Sequence, residues 1–351
     1  MKKDIKELKI LKIILWVYII LCIIIAGLNY GYARNASDEI AKYITLGWHF
    51  YENWVKTIFI IIGSYLTLKI LKNKNTTMRK KNLIGFISAA LVVHIVGPII
   101  LDNSELYFFT MPLPWTTTPL QLLSPKSSFY MSRFPLWGIN GITIALVFFV
   151  IYTLIVIVGT LFLGRRWQCS TICLFNGFAA EVFDPVIPLV GSRKKPKDKR
   201  VKVLFVFKWI FFALAVFFTL YWVLHILGVS MPGEPKTWGM VENYKYLTGE
   251  LLMAMFFWIA FIGRGYCYYC PLGTLLAFVG KAADQKITTD SSKCISCGKC
   301  DDICPMSIKI KDKAEIGEAV VDMNCVGCGR CVDNCPTGTL SYSTKFLSRK
   351  M

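Results

Sequence analysis

Cys294, Cys297, Cys300 and Cys304 precede Pro305, and Cys325, Cys328, Cys331 and Cys335 precede Pro336, so the run C-x2-C-x2-C-x3-C-P is written twice. Soft thiolate donors suit iron-sulphur cores, and cysteines at i and i+3 in a loop can converge on one cube. In paired runs of this kind three thiolates wrap one 4Fe-4S cluster and the fourth is carried across to the other. The spacing assigns Cys294, Cys297, Cys300 and Cys335 to one cluster and Cys325, Cys328, Cys331 and Cys304 to the second. Gly298, Gly327 and Gly329 let backbone N–H groups approach sulphur, and each Pro starts the return of the chain. The competing reading, a pair of zinc sites, normally draws four ligands from two separated C-x2-C pairs and not from runs of four.

A second constellation lies upstream. Gly164-Arg165 is followed by Cys169-x3-Cys173, and Gly263-Arg264 by Cys267-x2-Cys270-Pro271. Each copy follows an apolar run, which reads as a repeated unit about an axis along the membrane normal. Cys169, Cys173, Cys267 and Cys270 are expected to hold a third metal centre or to form a redox-active thiol set, with Arg165 and Arg264 offsetting negative charge. Structural zinc-like clips are the alternative. The three histidines are His49, His94 and His225. A haem is not expected from them, because a lone intramembrane His more often satisfies a packing hydrogen bond. There is no C-x-x-C-H, no phosphate-binding Gly loop and no H-E-x-x-H. Asp102, Glu105 and His94 are the candidates to bound an outer quinone pocket.

The elements that must position these residues are apolar. The 351 residues are 55% hydrophobic and 14% aromatic with a mean hydropathy of +0.50, beyond an ordinary soluble domain. Apolar runs occupy 10–28, 57–71, 83–101, 139–163, 203–228 and 251–263. The second and sixth fall short of the ~20 residues that span a bilayer, so they must borrow flanking residues or thin it. The first exceeds a signal-peptide core, and Leu21 before Cys22 is too large for a lipoprotein cleavage site, so an uncleaved anchor is expected.

The net charge of +18 falls mainly in short loops, where it is a topology signal and not a nucleic-acid footprint. Lys2, Lys3, Lys6, Lys9, Lys12, Lys72, Lys74, Arg79, Lys80, Lys81, Arg165, Arg166 and the run 193–200 lie on one side. Arg34, Lys42, Lys56, Lys126, Arg133, Lys236 and Lys245 lie on the other. Positive-inside then puts both termini and the clustered cysteines in the cytoplasm of a multi-pass cell-membrane protein. Twelve of the thirteen cysteines, all but Cys22, fall in tight clusters that suit metal ligation in a reducing compartment. The loop 102–137, with Met111, Pro112, Pro114 and Trp115, reads as an interfacial aromatic belt, and 178–190 as a segment hugging the membrane face.

The expected fold is therefore mainly α: a six-span helix bundle over 1–280, with a small α+β bacterial-type dicluster ferredoxin domain over 281–351. Helices bearing Gly-Arg and then a cysteine pair at their cytoplasmic ends, as G-R-x3-C at Cys169 and G-R-x2-C at Cys267, followed by a two-cluster ferredoxin module, resemble the NapH/NosR-type membrane polyferredoxins, with CcoG as a more distant relative. The resemblance covers roughly 164–336. Family members usually carry C-x3-C-P in both membrane motifs; here Leu174 replaces the first Pro, and the second motif is one residue shorter. The resemblance implies an electron-transfer component of a redox complex, working between a cytoplasmic donor or quinol and an extracytoplasmic reductase or flavoprotein. The relative CcoG implies the alternative, an assembly factor that reduces a metal or thiol for another enzyme. The expected cofactors are two [4Fe-4S] clusters, with a third metal centre and a quinone as further candidates.

Overall fold

The computed structural model describes residues 2–34, 36–72, 76–110, 119–123, 127, 129, 139–192 and 198–347. Met111 to Trp115, the cations Lys74, Lys126 and Arg133, and residues 193–197 lie outside them. The chain is mainly helical, and among the described residues five helices are long and apolar enough to cross a membrane. They are Lys6–Tyr30, Asp38–Leu71, Thr77–Leu101, Gly141–Leu163 and Val206–Ile226. Runs of Ile, Leu, Val and Phe of this length can bury their backbone polar groups only as helices in lipid.

The second helix corrects the short run expected at 57–71. It is 34 residues long because it continues N-terminally through Glu52, Asn53 and Lys56. These polar residues break a hydropathy window but do not break the helix: Glu52 and Lys56 meet at 2.8 Å, four residues apart on one face. A sixth span over 251–263 is not among these five. Helical turns follow one another through Pro235–Tyr244, Lys245–Leu252 and Met253–Ala260. Only the last of these is uniformly apolar, since Glu242, Lys245 and Glu250 lie in the turns before it.

The chain packs as two compact units. The first comprises Met1–Leu66, Ile87–Thr153 and Ala213–Phe256. Its core gathers Leu120, Leu122, Ile142, Phe149, Phe218 and Trp222, with Phe149 and Trp222 edge to face at 5.8 Å. Three π-helical turns, Tyr51–Val55, Val92–Val96 and Lys245–Leu252, each carry a buried ionisable residue: Glu52, His94 and Glu250. Lys245 pairs with Glu250 at 2.9 Å.

The second unit comprises Thr67–Phe86, Leu154–Phe212 and Phe257–Met351. The expected boundary at 280/281 falls within it, so the helix Pro271–Ala282 and the residues after it share one packing unit. The strand β1, Lys286–Thr289, pairs antiparallel with β2, Leu340–Ser343, placing Ile287 opposite Tyr342. Between the strands the two cysteine runs repeat one local conformation. Gly298 and Gly329, at φ +71° and +74°, turn the chain into the short helices Lys299–Ile303 and Arg330–Asp333.

This segment is fastened to the end of the helix Gly141–Leu163. Tyr342 donates its hydroxyl to the Leu163 carbonyl at 2.9 Å, and Thr344 donates to that of Phe162 at 2.6 Å. Gly164 ends the helix at φ +69°, where a Cβ would run into the Tyr342 hydroxyl and Gln285. Gln285 then joins three segments, accepting from the Arg165 backbone N–H at 2.7 Å and donating to the Cys325 carbonyl at 2.8 Å. Most of the segment 178–190, expected to hug a membrane face, is protein interior: Phe178, Ala179, Ala180, Val182 and Phe183 are buried in this unit, while Val190 at its end is exposed. The five apolar helices predict that the protein stays in the membrane pellet after an alkaline carbonate wash and leaves it only with detergent. Release by carbonate alone would contradict the assignment of those helices to lipid.

Candidate iron-sulphur and membrane-motif cysteine centres

All thirteen cysteines are free. Cys304, Cys325, Cys328 and Cys331 line one enclosed, mainly apolar cavity with Ile287, Met306, Ile308 and Val320. Cys294, Cys297, Cys300 and Cys335 line another, walled by Ala314, Pro336 and Leu340. Each cavity takes three cysteines from one run and the fourth from the other. Among the described residues, no three His, Cys, Asp or Glu side chains converge tightly enough to hold a single metal ion. Four thiols around each void, three from one run and one from the other, are the ligand set that paired four-cysteine runs supply to iron-sulphur cores, whereas zinc normally draws on two separated C-x2-C pairs.

The two cavities differ in exposure. In the first, Cys304 and Cys331 are buried; burial pushes the Cys304 thiol up to about 12 and that of Cys325 to about 11. In the second, Cys297 is exposed and Ile295 beside it is 61% accessible. Burial and the neighbouring Asp301 push Cys300 up to about 11. At Cys335 the hydrogen bonds from Thr337 and Thr339 outweigh burial and bring the thiol below its ordinary range. Thiols held this high are protonated at neutral pH until a metal core displaces the protons.

The membrane-motif cysteines meet in the same unit. Cys173, with backbone φ −54° and ψ 105°, precedes the turn Leu174–Gly177; Cys270, with φ −61° and ψ 124°, caps the helix Pro271–Ala282. The two motifs therefore deliver their second cysteine in nearly the same backbone conformation, although Leu174 stands where the other has Pro271. The Cys270 sulphur accepts from the Gly273 N–H at 3.4 Å. The Cys267 sulphur accepts from the Asn176 amide at 2.7 Å, so the first motif touches a cysteine of the second. Cys270 feels the charge of all three other thiols in the set, Cys173 that of Cys267 and Cys169, and Cys267 that of Cys169. Burial pushes all three thiols up, that of Cys173 to about 12.

The guanidinium groups expected to offset charge are interior residues. Arg264 is 1% accessible; its Nη1 donates to the Cys169 carbonyl at 3.1 Å and lies 4.0 Å from the Cys267 sulphur, while Nη2 meets Glu181 at 2.5 Å. Arg165, 3% accessible, donates to the Met323 carbonyl at 2.5 Å. Three partners were not singled out from sequence: Glu181, Asp184 and Arg330. Arg330 sits beside Cys331, pairs with Asp184 at 2.7 Å and donates to the Ala180 carbonyl at 2.7 Å. Arg79 reaches the same carboxylate at 3.1 Å. A signal was present, since Glu181 and Asp184 are the two acids within the apolar stretch 178–190, where a charge persists only with a partner.

Two hydrogen bonds join the membrane motifs to the first cavity. Ser170, next to Cys169, donates to the carbonyl of Val326, next to Cys325, at 2.7 Å. Tyr268, next to Cys267, donates to the carbonyl of Pro305, next to Cys304, at 3.0 Å.

The candidate quinone residues fare unevenly. The first unit holds a cavity of about 1080 Å3, lined among others by Tyr30, Trp48, His49, Glu105, Tyr107 and Tyr244. Glu105 borders it and accepts from Ser127 at 3.0 Å; Asp102 and His94 are not among its lining residues. His94 is buried, and neither ring nitrogen meets a hydrogen-bond partner.

Residues 286–336 match the 4Fe-4S dicluster domain family. The chain is 28% identical over 174 residues to the uncharacterised protein MJ0749 of Methanocaldococcus jannaschii, covering 48% of this chain and 63% of that protein. It is 27% identical over 172 residues to the uncharacterised protein MJ0750 of the same organism, covering 47% and 69%. The chain thus spans under two thirds of the first relative, and neither carries a functional name. No solved structure matches. The dicluster match supports an iron-sulphur electron-transfer role, while the likeness to NapH and NosR rests on the motifs alone.

The crossed arrangement has a distinctive consequence. Removing Cys304 and Cys325 together should cost one cluster and leave about four irons bound in the terminal module, because both thiols line one cavity. Loss of all the module's iron on that double substitution would mean that each run holds its own cluster.

Proposed function

We propose that the chain is a membrane electron-transfer protein in which the dicluster module exchanges electrons with a third iron-sulphur centre held by Cys169, Cys173, Cys267 and Cys270. A bound cluster supplies a reversible one-electron couple. The chain's own contribution is placement. Cys294, Cys297, Cys300 and Cys335 hold the solvent-facing centre, where a soluble carrier has access. Cys304, Cys325, Cys328 and Cys331 hold the buried one. The observation that carries the reading is the pair of bridges from Ser170 to Val326 and from Tyr268 to Pro305, each between immediate neighbours of cysteines from the two sets.

Other donors prepare the membrane-motif set for a metal-thiolate core. The Asn176 amide and the Gly273 N–H point at sulphur, as thiolate-bound cores require, and Arg264 supplies positive charge. A neutral disulfide would leave that guanidinium with less to balance.

For the membrane arrangement we propose six crossings with both termini cytoplasmic, the sixth formed by the helical turns from Pro235–Tyr244 to Met253–Ala260. The Lys245–Glu250 pair lowers the cost of charge in that stretch. The partners would be a cytoplasmic donor and an extracytoplasmic redox protein. A quinol is a second candidate donor; the specific observation in its favour is the aromatic cavity of about 1080 Å3 in the first unit, bordered by His49 and Glu105 as proton acceptors.

Cys267→Ala tests the reading. The purified protein should fall from about twelve irons to about eight, retain reducible clusters in the terminal module and lose electron throughput in reconstituted vesicles. Unchanged iron and unchanged throughput would remove the third centre from the account and leave an anchored ferredoxin.

A further inference from the structure

The interior of the second unit holds more cations than carboxylates. Among the described residues of this unit, the buried Arg165, Lys208, Arg264 and Arg330 and the partly buried Arg79 share the interior with two buried acids, Glu181 and Asp184. Asp184 is shared by Arg79 and Arg330, and Glu181 takes Arg264. The Arg165 guanidinium donates to a carbonyl oxygen instead. A buried charge without a counter-charge is costly, so this excess calls for anions in the same interior. The thiolate-bound centres are the only anions the proposed function places there.

The excess is also directed. Arg264 turns Nη1 towards Cys267 and the Cys169 carbonyl and gives Nη2 to Glu181, so its positive end faces sulphur and the carboxylate sits behind. Arg330, adjacent in sequence to Cys331, gives Nη1 to Asp184 and Nη2 to the Ala180 carbonyl, and feels the charge of Cys328. Around the second cavity the arrangement is different. Asp301 lies beside Cys300, and Lys293 and Lys311 are taken up by Asp290 and Glu315 at the surface. Charges there are exposed to water and screened, whereas those around Arg264 and Arg330 act through a low-dielectric interior.

We infer that Arg264 and Arg330 set the direction of electron flow. They hold the centres of the buried cavity and the membrane motifs at higher reduction potential than the exposed one, so that electrons enter at Cys297 and run inward. Reduction adds one negative charge to a centre, and a fixed cation nearby favours the reduced form. Burial acts the other way by disfavouring added charge, and the excess of buried cations over carboxylates around Arg264 and Arg330 is what overturns it. The donor is a soluble low-potential one-electron carrier: it gives up one electron at the exposed face, and one centre further in is reduced by one. This rests on the reading that the two terminal centres and the membrane-motif set hold clusters. Arg264 and Arg330 are positioning residues, acting on the potential without supplying a ligand.

The test is an anaerobic potentiometric titration of the full-length protein followed by EPR, with Cys294→Ala used to assign the exposed centre. In the unmodified protein the exposed centre should titrate at the lower potential. Arg330→Gln should shift the buried centre downward and leave the exposed one in place, whereas Arg330→Lys, which keeps the charge, should titrate close to the unmodified protein. Glu181→Gln, which removes a negative charge without changing shape, should shift the membrane-motif centre upward. If Arg330→Gln fails to fold, Glu181→Gln carries the test alone. The inference is overturned if the exposed centre titrates above the buried one, if the Gln and Lys variants at Arg330 behave alike, or if Glu181→Gln leaves every potential unchanged. Absence of labile sulphide from the unmodified protein is a separate outcome, and it overturns the underlying reading of the sites.

Discussion

A charge inside protein must be met by an opposite charge close by, and the second unit is built around that constraint. Two sets of ion pairs, Arg264 with Glu181 and Arg330 and Arg79 with Asp184, tie four distant pieces of sequence through the stretch 178–190: the start of the helix Thr77–Leu101, that stretch itself, the second membrane motif and the second cysteine run. Breaking one partner of such a pair strands a buried charge at a cost of about 3–5 kcal/mol, so the network fixes the geometry of what it joins. The membrane-motif cysteines and the buried cavity are joined by it, and the bridges from Ser170 and Tyr268 follow from that docking.

The same constraint explains why charged residues interrupt apolar helices in the first unit. Glu52 is satisfied by Lys56 and Glu250 by Lys245, each within its own helix. π-helical turns coincide with these residues, an irregularity that often marks function. A charge tolerated in this way costs the helix little but hides it from a hydropathy window.

That is where the sequence stopped being readable. The cysteine runs were legible because their information is local: spacing decides which thiols can share a core, and the structure brings the crossed sets around two cavities. Arg165 and Arg264 were legible from the repeated Gly-Arg preceding each membrane motif. Glu181 and Asp184 carry only the signal of acids in an apolar stretch; their partners are not legible because they lie far off in sequence, Arg264 at a separation of 83 residues, and the surrounding apolar residues imitate a membrane-lying loop. The length of Asp38–Leu71 was missed for the related reason that Glu52 and Lys56 look like a boundary and are an ion pair. The ferredoxin module was expected as a separate domain; the hydrogen bonds of Tyr342, Thr344 and Gln285 to the helix end at Leu163 are side-chain facts that no pattern of residue types announces.

The account turns on one claim, that a centre on Cys169, Cys173, Cys267 and Cys270 sits beside the buried centre of the dicluster module. The most direct measurement is low-temperature EPR of the fully reduced full-length protein, comparing it with Cys173→Ala. Adjacent paramagnetic centres broaden and split one another. The account predicts a third signal whose interaction splits that of the buried cluster, with both the signal and the splitting gone in the variant. A two-cluster spectrum that is identical in both proteins would contradict it.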